Sequence, residues 1–183
     1  GSSRDKNTIV YIGRIVPQKD LKTLIKAFSI VVKKHDVRLR IIGEGNEKKE
    51  LETLARKLGI EKNITFTGRI ENHNDIVKEM KSATLLVLPS KKECFGIVPL
   101  EAMACNLPVI STKTEGPRDY MKNYYNGFLT EIGNEKELAK RIIEILEDEK
   151  LYKKIQINGR KTAEGYDWDI IIKRIADVYR GMV

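Results

Sequence analysis

Two groups of residues in this 183-residue chain have the types and spacing to do chemistry. Pro89 to Glu101 reads PSKKECFGIVPLE, with Glu93 and Glu101 on either side of a Phe95-Gly96 turn. Carboxylate oxygens accept strongly, so such a pair suits sugar hydroxyls. Gly13 to Lys19 reads GRIVPQK, where Arg14 offers a planar fork and Lys19 a point charge, a combination suited to a diphosphate. Gly13 lets the backbone turn tightly and approach a ligand closely. A helix opening at Phe95-Gly96 would add outward-pointing amides that favour phosphate oxygens. Hydroxyls and phosphates in one ligand describe a nucleotide sugar. Taken singly, Arg14 and Lys19 read equally well as surface cations, and Glu101 as a partner for a nearby lysine.

These groups must be positioned by something, and the rest of the chain shows what. Short apolar runs at Ile9–Ile12, Leu39–Ile42, Ile64–Thr67, Leu85–Leu88, Val109–Ser111 and Phe128–Thr130 read as strands. Their near-continuous apolar character indicates strands covered on both faces, as in a parallel sheet. Between them, Leu21, Leu24, Ile25, Phe28 and Val32 follow a helical period after Asp20, which reads as the N-cap. Leu51, Leu54, Ala55 and Leu58 form a second stripe stopped by Gly59, and shorter helices fit Asp75–Lys81 and Val98–Cys105. Beyond Glu135 only helical segments remain, near 135–148, 150–164 and 168–181. Alternating strands and helices with short connections predict a Rossmann-like, doubly wound α/β sheet of about six parallel strands with extra C-terminal helices. The chain is read as one domain, 1–183.

In such a sheet, ligands bind beyond the carboxyl ends of the strands. Gly13, Arg14 and Lys19 follow the first strand and Gly43-Glu44-Gly45 the second. Gly68-Arg69 follows the third, Pro89 to Gly96 the fourth and Lys113 to Gly116 the fifth. This co-location weighs more than any one motif. GEG is not a G-x-G-x-x-G fingerprint, and no P-loop, HExxH or serine nucleophile elbow is present.

Composition narrows the remaining classes. A net charge of +8 favours an anionic partner. The basic residues are scattered over helical segments rather than clustered with aromatics, which weighs against a nucleic-acid surface. A hydrophobic content of 41% excludes a disordered chain, and the apolar runs are far shorter than the ~20 residues of a membrane span. Cys94 and Cys105 make neither a disulfide framework nor a zinc set, so a reducing, cytoplasmic compartment is expected, with Cys94 buried and inert. His35 and His73 have no partner at metal spacing, and no metal site is expected. The opening Gly-Ser-Ser reads as a cloning remnant.

The segments YIGRIVPQKDLKTLIKAF, LRIIGEG, ITFTGRI, LLVLPSKKECFGIVPLEAMACNLPVIST, EGPRDY and NGFL resemble the C-terminal, donor-binding domain of the retaining glycosyltransferases of family 4 (group 1), one half of the GT-B fold. The resemblance covers nearly the whole chain. It implies transfer of a hexose, mannose or glucose, from a nucleoside-diphosphate sugar with retained configuration. The sugar nucleotide is a substrate, and neither a cofactor nor a metal is implied.

It further implies that Arg14 and Lys19 hold the donor diphosphate and neutralise it as it leaves, while Glu93 contacts the transferred sugar and Glu101 the ribose. The amides of Phe95, Gly96 and Ile97 would face sugar and phosphate, and Arg69-Ile70 would lie against the base. Asp20, where the family most often has Gly, would place a negative charge near the phosphates. Thr114-Glu115-Gly116, where two glycines are common, would alter the local turn. Family members carry a second, N-terminal acceptor domain that this chain does not supply, so the chain alone is expected to bind donor without transferring sugar. Basic residues late in the chain (Lys150, Lys153, Lys154, Lys161, Lys173, Arg174) would suit the cytoplasmic face of an anionic membrane. A second reading keeps the domain as a non-catalytic nucleotide-sugar binding module. A third is an unrelated flavodoxin-like domain, which leaves the gathering of charges at the strand ends unexplained.

Overall fold

The computed structural model describes residues 8–166. Six strands form one parallel sheet: β1 (Thr8–Ile12), β2 (Arg38–Ile42), β3 (Ile64–Gly68), β4 (Leu85–Leu88), β5 (Val109–Thr112) and β6 (Phe128–Thr130), in the order β3-β2-β1-β4-β5-β6. Every strand expected from the sequence is present. β1, β4, β5 and β6 are buried along their whole length, as continuous apolar runs require. β2 and β3 depart from that expectation: Arg38 of β2 is exposed and Arg40 half-buried, and in β3, an edge strand, Thr65 and Thr67 are exposed while Ile64 is buried.

Seven helices flank the sheet: α1 (Leu21–Val31), α2 (Lys48–Lys57), α3 (His73–Ser82), α4 (Ile97–Ala104), α5 (Glu115–Tyr120), α6 (Glu135–Glu147) and α7 (Glu149–Glu164). From β1 the chain steps outward to β2 and β3, then returns past β1 to β4 and continues to β6. Right-handed crossovers in these two directions place α1 and α2 on one face and α3 and α4 on the other. α6 packs on α1 and α7 on α4, so both faces are closed. The expected helix near 168–181 lies outside the described residues.

The stripe of α1 buries Leu21, Leu24, Ile25, Phe28 and Val31, with Val32 half-buried as its C-cap. Asp20 is not the expected side-chain cap. It sits in the left-handed region at φ 48°, and its carboxylate turns inward to accept from Thr23 Oγ1 at 2.9 Å. Its charge is thus engaged within α1's first turn, with Lys91 Nζ 3.8 Å away. α2 ends as expected: the amides of Gly59 and Ile60 donate back to Arg56 and Ala55 carbonyls, while Leu58 of the expected stripe stays exposed. α5 was not foreseen. Its Gly116-Pro117 pair reads as a loop, yet a proline in the first turn of a helix gives up no hydrogen bond.

The loops after β1 and β2 are joined through their backbones. Ile15 N–H donates to Glu44 O at 2.7 Å, and Glu47 N–H donates to Ile15 O at 3.3 Å. The approach is close enough that a β-carbon on Gly45 would stand 2.0 Å from Ile15 O. Gly45→Ala should therefore destabilise the fold by about 1–3 kcal/mol. A thermal melt should show Tm lowered by roughly 3–10 °C. An unchanged Tm would mean the two loops can part freely.

Candidate functional site

β1 lies where the strand order reverses, so the chain leaves β1 and β4 toward opposite faces and a crevice opens at their carboxyl ends. A 3-10 turn over Pro17–Lys19 follows β1, and the loop Pro89 to Gly96 follows β4. Lys91 N–H donates to Gln18 O at 2.8 Å and ties the two loops together. Above this tie, Lys19 Nζ reaches Glu93 Oε2 at 2.5 Å, joining residues 74 positions apart in the chain. Ser90 Oγ, itself buried, also donates to Glu93 Oε2, at 3.3 Å. Glu93 is thereby held at the crevice, and its other oxygen has no hydrogen bond among the described residues.

Gly96 opens α4 at φ 77°, and a β-carbon there would stand 2.9 Å from Tyr120 Oη. Glycine is what that turn requires. The Tyr120 hydroxyl donates to Gly96 O at 2.8 Å, and Gly116 N–H donates to Glu93 O at 3.3 Å, so α5 holds the loop from the far side. The first-turn amides of Ile97 and Val98 have no intrahelical acceptor, and Pro99 has no N–H to satisfy. The N-terminus of α4 is therefore an anion-attracting end beside the Lys19–Glu93 pair. Ile97 and Phe95 flank it and are exposed. Phe95 leans on Tyr120 and Tyr166, with ring centroids 6.3 and 6.1 Å away.

A second group lies on the other side of β1. Gly13, Arg14, Arg69 and Ile70 line a cleft of about 390 Å³ together with Ile12, Ile42, Gly43, Glu44 and Ile76. Tyr11, buried in β1, donates its hydroxyl to Arg14 O at 2.7 Å and so fixes this loop from beneath. Burial pushes the hydroxyl pKa values of Tyr11 and Tyr120 above the ordinary tyrosine value, and the Glu93 charge pushes both further. Both hydroxyls therefore keep their protons and remain donors.

The sequence-predicted residues thus fall into two adjoining sets. Gly13, Arg14, Arg69 and Ile70 share the cleft, while Lys19, Glu93, Phe95, Gly96 and Ile97 surround the start of α4. Glu101 is half-buried on α4, and its carboxylate has no hydrogen bond or ion pair among the described residues. Arg14 is exposed and likewise without an ion pair there. Arg69 Nε pairs instead with Glu71 at 3.0 Å. Cys94, expected to be buried, is exposed, because the loop that aims Glu93 inward turns its next residue out.

Tyr11 and Tyr120 were missed by sequence reasoning, and Ser90 and Gly116 were placed in strand-end loops without the contacts they make to Glu93. Tyr11 hides in an apolar strand, and Tyr120 acts on a residue 24 positions away. Neither leaves a local signal.

The family model described as glycosyl transferases group 1 matches residues 1–162. An uncharacterized glycosyltransferase of Methanocaldococcus jannaschii is 34% identical over 181 residues, 98% of this chain and 46% of the relative. HepE of Anabaena, solved with UDP and glucose, superposes with a TM-score of 0.85 at 29% identity, covering 96% of this chain and 49% of that one. The C-terminal domain of LpcC, a glycosyl transferase group 1 family protein of Francisella tularensis, gives 0.82 at 32% identity, covering 88% of this chain and 86% of that domain. The chain spans about half the length of the curated relatives it matches.

Tyr120→Phe keeps the ring and removes the donor to Gly96 O. It should cost about 1–3 kcal/mol of stability, measurable by urea unfolding. A variant as stable as the parent would show that the hydroxyl does not hold the α4 turn.

Proposed function

We propose that this chain, which belongs to the glycosyl transferases group 1 family, is the donor-binding half of a retaining, family 4 glycosyltransferase that moves a hexose, mannose or glucose, from a nucleoside-diphosphate sugar. The observation that carries the proposal is the 2.5 Å pair of Lys19 and Glu93 at the N-terminus of α4. It sets a phosphate-binding cation, a hydroxyl-binding carboxylate and a helix start around one point.

In this reading the donor diphosphate lies between Arg14, Lys19 and the first-turn amides of α4. Lys19 has three donors and can hold Glu93 and a phosphate oxygen together. As the sugar–phosphate bond breaks, negative charge grows on the leaving diphosphate, and these cations and amides stabilise it where it develops. Glu93 orients the transferred sugar through its hydroxyls. Glu101, a half-buried carboxylate with capacity to spare, takes the ribose hydroxyls, and Arg69-Ile70 lie against the base. UDP and glucose in HepE support a nucleotide sugar as the ligand class.

Transfer itself would take place in a cleft closed against an N-terminal acceptor domain, and closure would exclude water. Among the described residues no helix is long and apolar enough to cross a membrane. Lys150, Lys153, Lys154 and Lys161 are exposed along α7 and suit contact with an anionic cytoplasmic membrane face. Lys173 and Arg174, expected to join them, lie outside the described residues. Co-sedimentation with liposomes containing anionic lipid should exceed that with neutral liposomes; equal recovery would remove the membrane contact.

A nucleotide at about 100 times its dissociation constant should stabilise the chain by ~2.7 kcal/mol. A thermal-shift panel of UDP, GDP, ADP and their hexose conjugates should accordingly show a rise of roughly 5–10 °C for one base. The rise should be lost in Arg14→Ala and in Glu101→Ala. The isolated chain should release no free or transferred sugar. No shift with any nucleotide would sink the donor-site reading, and efficient transfer by this chain alone would sink the need for a second domain.

A further inference from the structure

The cleft beside β1 contains a group that diphosphate binding does not call for. Glu44 lines it together with Arg14 and Arg69, on a wall that includes Ile12, Ile42, Ile70 and Ile76. The Glu44 carboxylate reaches from the loop after β2 to the end of β3, where its Oε1 lies 3.8 Å from the position a β-carbon would take on Gly68. Among the described residues it makes no hydrogen bond and no ion pair, although two arginines line the same cleft. Arg69 is turned to Glu71 instead.

A carboxylate repels a phosphate, so in an anion site it must serve another part of the ligand. It accepts hydrogen bonds and donates none. Half-buried Ile70 and Ile76 offer an apolar surface suited to a flat ring, and Glu44 lines the same cleft.

We infer that Glu44 reads the base edge of the donor nucleotide and selects guanine, an assignment that rests on the donor-site reading of this cleft. Guanine presents N1–H and the 2-amino group side by side, and the two carboxylate oxygens can accept from both in parallel. Uracil offers one N–H between two carbonyl oxygens, which face the carboxylate lone pairs unfavourably. Adenine offers its amino group beside an acceptor nitrogen. Paired donors on one edge distinguish guanine from both. A paired contact of this kind discriminates between bases by about tenfold or more.

Isothermal titration of the chain with GDP, IDP, UDP and ADP tests this, repeated on Glu44→Gln with its Tm as a folding control. GDP should bind about tenfold more tightly than UDP or ADP. IDP, which keeps N1–H and lacks the 2-amino group, should fall between them. Glu44→Gln should erase the lead of GDP. UDP or ADP binding as well as GDP would overturn the guanine assignment and leave the donor site standing. A Glu44→Gln variant that weakens every nucleotide equally would also overturn it, by showing that Glu44 acts on the shared ribose or on the fold. If no nucleotide binds, the donor-site reading falls and the assignment falls with it.

Discussion

The sheet has one strand with neighbours reached in opposite directions, and the site is a consequence of that strand. β1 pairs with β2 on one side and with β4 on the other, so the chain departs from β1 toward one face and from β4 toward the other. No covered route exists directly above their ends, and a crevice must open there. The backbone bond from Lys91 to Gln18 ties its two walls together, and the Lys19–Glu93 pair spans them. Because β1 and β4 are buried along their whole length, neither wall can move without disturbing the core. The side chains on these loops inherit the rigidity of the strands beneath them.

Charge is handled differently inside and outside this crevice. Elsewhere, ion pairs such as Lys78–Asp75 and Lys153–Glu149 join side chains one helical turn apart in solvent, where they contribute little. At the strand ends, Lys19 and Glu93 are mostly covered, at 17% and 24% side-chain exposure, so their attraction is less screened. Arg14, Glu44 and Glu101 are left without protein partners among the described residues. Under the proposed donor-site reading, a ligand for these three groups presents an anion to Arg14 and hydrogen-bond donors to Glu44 and Glu101, which is a narrow chemical description.

Much of this was legible in the sequence because burial leaves a pattern. LLVL and VIST are covered on both faces and read as strands without ambiguity, and the apolar stripe of α1 announces its helix. The candidate loop residues were legible as a set because each loop follows a strand end, whereas Glu101 lies a turn into α4. What the sequence could not carry was the outcome of competition between nearby partners. Asp20 looks like a cap, but the left-handed backbone at that position aims its carboxylate at Thr23 instead. Cys94 looks like a core thiol until the turn that buries part of Glu93 expels it. The division of the site into a cleft and a helix start depends on where loops from five strands settle, which no local spacing encodes.

The glycines at the two loops show why the site's surroundings are as open as they are. Gly43 and Gly45 are bare because the backbones of Gly13 and Ile15 occupy the space a side chain would need, which makes the cleft wall rigid. Gly96 is bare because Tyr120 stands against it and because its turn needs a positive φ. That turn points the first amides of α4 outward, and an outward-facing amide must stay uncovered to meet an anion. The residues on either side share its exposure, so Phe95 at 45% and Ile97 at 61% remain in solvent although both are apolar. Tyr120 and Tyr166 steady the Phe95 ring without covering it. Apolar exposure at this point follows from a helix start whose first amides stay open to solvent.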